Sequence, residues 1–199
     1  MTRVEDAFIA AQLGADAIGL IFYAPSARYI DPQQAAELVR QLPPFVTVVG
    51  LFLDAEPAWV REVSSRVPLD LLQFHGMEMP DYCASFGRPY IKALAMGAEL
   101  NLAAQMAAHP QARGFLADSH RPGKAGGLGT RFDWSRLPAP SPRPLILAGG
   151  LTPDNVEAAI KQVRPWGVDV ASGVESTKGI KDSHKMGEFI KGVYRAGSK

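Results

Sequence analysis

The stretch Leu145-Ile146-Leu147-Ala148-Gly149-Gly150-Leu151-Thr152-Pro153-Asp154, followed by Val168-Asp169-Val170-Ala171-Ser172-Gly173-Val174-Glu175, decides the fold. Each half reads as a short apolar strand running into a glycine-bearing turn that opens a helix. Glycine lets backbone approach a ligand closely, and the first N–H groups of a helix lack internal partners, so each turn is an anion site strengthened by the helix dipole. Two such turns on consecutive strand–helix units near the C-terminus are where a (β/α)8 barrel holds a phosphate. A phosphorylated small molecule is the expected ligand.

The same alternation extends upstream. Thr2 reads as an N-cap with Glu5 completing a capping box, and Val4, Ala7, Phe8 and Ala11 recur at helical spacing up to Gly14. Strands are expected at Ala17–Phe22, Val46–Leu53, Leu69–Phe74, Tyr90–Ala95, Gly114–Ala117, Leu145–Ala148 and Val168–Ala171. Helices are expected from Asp31-Pro32 to about Gln41, and over Pro57–Arg66, Pro80–Phe86 and Leu100–Ala108. Two more start at Pro153 and at about Asp182, the latter ending at Tyr194. The strands lack strict polar alternation, as a sheet covered on both faces requires. The expected fold is α/β, a TIM barrel over residues 1–199 as one domain, with seven strands and no first strand ahead of the leading helix. An open doubly wound sheet is the alternative, but it would bind ligand at a reversal of strand order.

Composition narrows the function classes. The chain has 199 residues, is 47% hydrophobic and 21% charged, and carries a formal net charge of +1. That balance gives no broad footprint for nucleic acid or an anionic membrane. No apolar run approaches the roughly 20 residues of a membrane span, and no signal-peptide core is legible, so the cytoplasm is the expected compartment. The single cysteine, Cys83, excludes an internal disulfide and a multi-cysteine zinc cluster, and four scattered histidines give no metal site.

Thr2-Arg3-Val4-Glu5-Asp6-Ala7, Gly14-Ala15-Asp16-Ala17-Ile18-Gly19, Phe22-Tyr23 with Ser26-Ala27-Arg28-Tyr29-Ile30, and Leu72-Gln73-Phe74-His75-Gly76 resemble phosphoribosylanthranilate isomerase of tryptophan biosynthesis. So do Gly126-Gly127-Leu128-Gly129, Phe132-Asp133-Trp134 and the two late turns. The runs follow the family's order over nearly the whole chain, which makes the set far more specific than any one glycine turn.

The resemblance implies a (β/α)8 barrel that performs an Amadori rearrangement of N-(5-phosphoribosyl)anthranilate without metal or organic cofactor, as a monomer or homodimer. In that chemistry an acid protonates the furanose oxygen as the ring opens to an iminium. A base then removes the C2 proton, and the enolamine tautomerises to the ketone. Resemblance places the acid at Asp118, whose pKa is expected to be raised by burial or nearby negative charge. The residue otherwise reads as an aspartate capping a loop. Arg28 corresponds to the residue that holds the anthranilate carboxylate, a role a planar guanidinium suits. His75 faces the site mouth or shapes its loop. Asp169 bonds a substrate hydroxyl or amine, or satisfies backbone donors. Gly127, Gly149, Gly150, Ser172 and Gly173 are expected at the substrate phosphate, with the loop after Asp118 closing over the ligand. Leu128 and Ala27 stand where the family often has a hydroxyl residue and a proline.

The serious departure is at the start. The family has a strand reading approximately Lys-Ile-Cys-Gly-Ile before its Thr-Arg, and the cysteine is the general base. Here Thr2-Arg3 follows Met1, and Cys83 lies in an outer helix where packing explains it. The resemblance therefore implies that Met1 lies downstream of the natural start, or that the chain was shortened. Without the base the rate is expected to fall by about 10²–10⁴, and the absent strand leaves two exposed edges. The alternatives are an inactive remnant that binds a phosphate ligand, and another sugar-phosphate barrel such as an indoleglycerol-phosphate synthase relative. The latter would need lysines at strand ends, whereas only Lys92 lies inside a strand.

Overall fold

The computed structural model describes residues 1–96, 101–119, 132–138, 141 and 143–197. Helix α1 (Val4–Leu13) precedes strand β1 (Ala17–Ile21), and strands and helices then alternate: α2 (Pro32–Arg40), β2 (Thr47–Phe52), α3 (Pro57–Arg66), β3 (Leu71–Phe74), α4 (Pro80–Ala84), β4 (Tyr90–Ala95), α5 (Leu102–Ala108), β5 (Gly114–Asp118), β6 (Leu145–Leu147), α6 (Val156–Val163) and β7 (Gly167–Val168). A hairpin of β8 (Glu175–Thr177) and β9 (Ile180–Lys181) leads into α7 (Ser183–Gly197). Strands β1 to β7 form one parallel sheet in chain order, the order of a (β/α)8 barrel wall and not of a doubly wound sheet. Among the described residues, no helix is long and apolar enough to cross a membrane.

Local chemistry explains most boundaries. Asp31 accepts a hydrogen bond from Gln33 N at 2.8 Å, and Pro32 and Pro57 occupy the first turns of α2 and α3, where a missing N–H costs nothing. Gly14 ends α1 at φ 105°, a conformation glycine adopts without a Cβ penalty.

Side-chain alternation splits the interior in two. Phe52, Phe74, Phe115 and Leu147 point outward into the main core beneath the helices. Ala93, Leu116 and Ala148 point inward and form a small cluster with Ile146. Residues two apart on a strand share a face. Asp118 therefore takes Leu116's inward side, and Gln73 and His75 share one side while Phe74 takes the other. The polar residues that end these strands emerge together inside the barrel mouth.

Four local expectations change. Thr2 does not cap α1: Arg3 is the N-cap, without a side-chain cap bond, and Thr2 Oγ1 donates to Gly179 O at 2.7 Å. The distant carbonyl outcompetes the local N–H. Helix α6 starts at Val156 and not at Pro153, because Asn155 accepts from Thr152 N and donates to Gly150 O, both at 2.9 Å, closing a separate turn. Strand β7 is shorter than Val168–Ala171: Asp169 N still donates to Leu147 O at 2.8 Å, but β6 ends there as Gly149 and Gly150 turn away. The turn at Ser172 opens no long helix. A three-residue 3-10 turn there gives way to the β8–β9 hairpin, whose strands are too short to leave a period in sequence.

Candidate functional site

A cavity of about 160 Å³ runs along β1 and opens at the C-terminal ends of β2, β3, β5 and β7. Arg28, Gln73, His75, Asp118, Asp169 and Lys181 line it. A smaller cavity of about 30 Å³ adjoins it, bounded by Gly149, Gly150 and Ser172 and sharing Asp118 and Asp169 with the first. The aspartate at the end of β5 therefore stands between the late glycine turns and the space that Arg28 overlooks.

Asp118 is 6% exposed. Its Oδ2 lies 3.3 Å from His75 Nε2, and Ser119 Oγ donates to its Oδ1 at 3.4 Å. Gln73 Nε2 lies 3.3 Å from His75 Nδ1. Both ring nitrogens of His75 thus have a polar neighbour, Gln73 at Nδ1 and Asp118 at Nε2. Asp169 is accessible from the cavity yet ringed by protein. Burial, and then the charge of Asp118, push its carboxyl above the ordinary range, while Lys181 and His75 pull the other way.

The loop that carries His75 is pinned from behind. Glu78 accepts from Asp54 N at 2.8 Å and from Gly76 N at 2.9 and 3.1 Å, and Asp54 Oδ1 accepts from Met77 N at 2.6 Å. Lys92 pairs with Glu78 at 3.2 Å and donates to Gly76 O at 2.6 Å. The lysine within β4 is thus committed to the loop and does not line the cavity.

Arg28 forms a two-point bridge to Glu175, Nε to Oε1 at 2.7 Å and Nη2 to Oε2 at 2.8 Å. That bond raises the pKa of Arg28. Lys181 donates to Ala171 O at 2.7 Å and to Glu175 Oε1 at 3.2 Å. Burial lowers its pKa, and Glu175 opposes that shift.

The glycine turns meet Asp118 directly. Gly149 and Gly150 have φ 78° and 70°, and a methyl at Gly149 would stand 2.5 Å from Ser119 N and 2.8 Å from Asp118 Oδ1. A methyl at Gly173 would collide with Leu151 O, so the two late turns pack backbone to backbone. Gly149→Ala is expected to cost about 1–3 kcal/mol for a side chain forced into the left-handed region. The measurement is the denaturant midpoint at unchanged m-value; an unaltered midpoint would remove this contact from the account.

Of the residues expected from sequence, Arg28, His75, Asp118 and Asp169 share one cavity, and Gly149, Gly150 and Ser172 share the second. Gly173 braces the second turn against the first. Gly127 and the rest of the loop after Ser119 lie outside the described residues. Sequence reading missed Lys181, Gln73 and Asn155, and it gave Glu175 no role. The only available signal was their position within or beside the quoted motifs.

The family described as N-(5'phosphoribosyl)anthranilate (PRA) isomerase matches residues 1–192. The N-(5'-phosphoribosyl)anthranilate isomerase of Stutzerimonas stutzeri (strain A1501) is 54% identical over 193 residues, covering 97% of this chain and 93% of that protein. The crystal structure of phosphoribosyl anthranilate isomerase from Thermotoga maritima superposes with a TM-score of 0.89 at 39% identity, covering 98% of this chain and 96% of that one. A phosphoribosyl anthranilate isomerase solved with reduced 1-(o-carboxyphenylamino)-1-deoxyribulose 5-phosphate gives a TM-score of 0.83 at 37% identity, covering 98% and 95%.

Proposed function

This chain belongs to the N-(5'-phosphoribosyl)anthranilate isomerase family, isomerases of tryptophan biosynthesis, and we propose that Asp118 is the acid that starts its rearrangement of phosphoribosylanthranilate. The observation that carries this reading is the place of Asp118 on the boundary of both cavities. A substrate phosphate in the cup of Gly149, Gly150, Ser172 and Gly173 sets the furanose oxygen near the carboxyl. The anthranilate ring then extends into the larger cavity toward Arg28. Protonation opens the ring to an iminium, removal of the C2 proton gives the enolamine, and tautomerisation gives the ketone. His75 steadies Asp118 Oδ2, and Asp169 faces the sugar hydroxyls and the bridging amine. Burial, and then Asp118, raise the pKa of Asp169, so it holds a proton more readily than an ordinary carboxyl.

The C2 proton needs a base, and no residue matches the family's cysteine within residues 1–199. Cys83 is buried in α4, and burial followed by the charge of Glu78 pushes its thiol up to about 12. It lies apart from the cavity wall and forms little thiolate at neutral pH. We propose that residues 1–199 alone bind the substrate well and turn it over slowly.

Two readouts on one preparation test this. Loss of fluorescence of freshly made phosphoribosylanthranilate reports turnover, and titration with reduced 1-(o-carboxyphenylamino)-1-deoxyribulose 5-phosphate reports binding. Slow turnover with clear binding is expected. Failure of both would overturn the assignment of the cavity to this substrate.

A further inference from the structure

Arg28 lies in the connection between β1 and α2, where no regular structure holds its long side chain. Glu175 is anchored at the first residue of β8. Its carbonyl accepts from Lys185 Nζ at 2.8 Å, and its carboxylate from Lys181 Nζ at 3.2 Å. The hairpin itself is tied to α1 by Lys181 N donating to Asp6 Oδ2 at 2.9 Å. The bridge between Arg28 and Glu175 uses the Nε–Nη2 edge of the guanidinium. The opposite edge, with Nη1, makes no hydrogen bond among the described residues, although Arg28 lines the cavity.

We propose that Glu175 is a positioning residue that grips one edge of Arg28 and presents the other edge to the ring carboxylate of the substrate. The proposal rests on the reading that Arg28 receives that carboxylate. Two cations, Arg28 and Lys181, share the one carboxylate of Glu175. Lys181 also faces Asp169, so it has a second carboxylate beside it, and the positive charge of Arg28 is left for a ring carboxylate. A guanidinium fork fixed at one edge loses less freedom when its second edge is engaged. Burial opposes ionisation of Glu175, yet Arg28 and Lys181 hold its carboxyl below the usual range, so the grip persists at neutral pH.

The test compares two probes on the intact chain: reduced 1-(o-carboxyphenylamino)-1-deoxyribulose 5-phosphate, and the same compound without the ring carboxylate. Glu175→Asp keeps the charge but shortens the reach, and Glu175→Gln keeps the shape but loses the charge. Both are expected to weaken the carboxylated probe at least about tenfold and to leave the other unchanged, which also reports that the fold is intact. In an Arg28→Ala background, Glu175→Asp is expected to have no further effect. Equal weakening of both probes would make Glu175 merely structural. Tighter binding by Glu175→Gln, with Glu175→Asp neutral, would make it a simple charge balance. Either result overturns the proposal. If the parent chain itself shows no preference for the carboxylated probe, or Arg28→Ala leaves that preference intact, the reading of Arg28 fails instead.

Discussion

Asp118→Ala is expected to lower turnover of phosphoribosylanthranilate by about 10²–10⁴ while the fold persists, the range lost when a positioned proton donor is removed. The variant is best made in a chain that carries the family's Lys-Ile-Cys-Gly-Ile strand in place of Met1, so that the parental rate is high. The carboxyl is buried, sits between the cavity of the glycine turns and the larger cavity, and has His75 Nε2 at 3.3 Å. Asp118→Asn separates chemistry from placement. An amide fills the same space and still bonds His75 and Ser119, but it holds no transferable acid proton. Loss of rate is therefore expected in Asn as in Ala, with the affinity for the reduced product analogue close to parental in Asn. Near-parental turnover in either variant would remove Asp118 from the acid role.

Supplying the strand itself carries the second large effect. Residues 2–199 preceded by Lys-Ile-Cys-Gly-Ile are expected to turn over about 10²–10⁴ faster than residues 1–199 alone. Met1 lines the cavity, and its amino group donates to Gly19 O on β1. A strand entering at Thr2 is thus led along β1 and past the cavity. Strand β7, two residues long, lies at the far edge of the sheet. Each aliphatic side chain buried between these edges is worth roughly 1.5–3 kcal/mol, so a rise in thermal midpoint should accompany the gain in rate. A serine in place of the added cysteine tells the two contributions apart. It should keep the rise in midpoint and lose most of the gain in rate. A serine variant as fast as the cysteine one would refute the assignment of the base.

Much of this molecule is fixed by interactions between near neighbours in the chain. The apolar runs of β2, β4 and β5, the prolines that open α2 and α3, and Gly14 beyond α1 act within a turn or two. They are accordingly legible from residue order. Asp118 was legible through the family resemblance together with its place at the end of an apolar strand. Tertiary structure alone decided which distant group each polar side chain would choose. Thr2 gave up a cap for a carbonyl 177 positions away, and Arg28 took a carboxylate 147 positions away. The closeness of Gly149 to Asp118 likewise depends on adjacent strands ending at one level. These contacts follow from the curl of the whole sheet, which brings the first and last loops together. Periodicity reports the face a residue occupies, and only closure of the fold reports what stands opposite it.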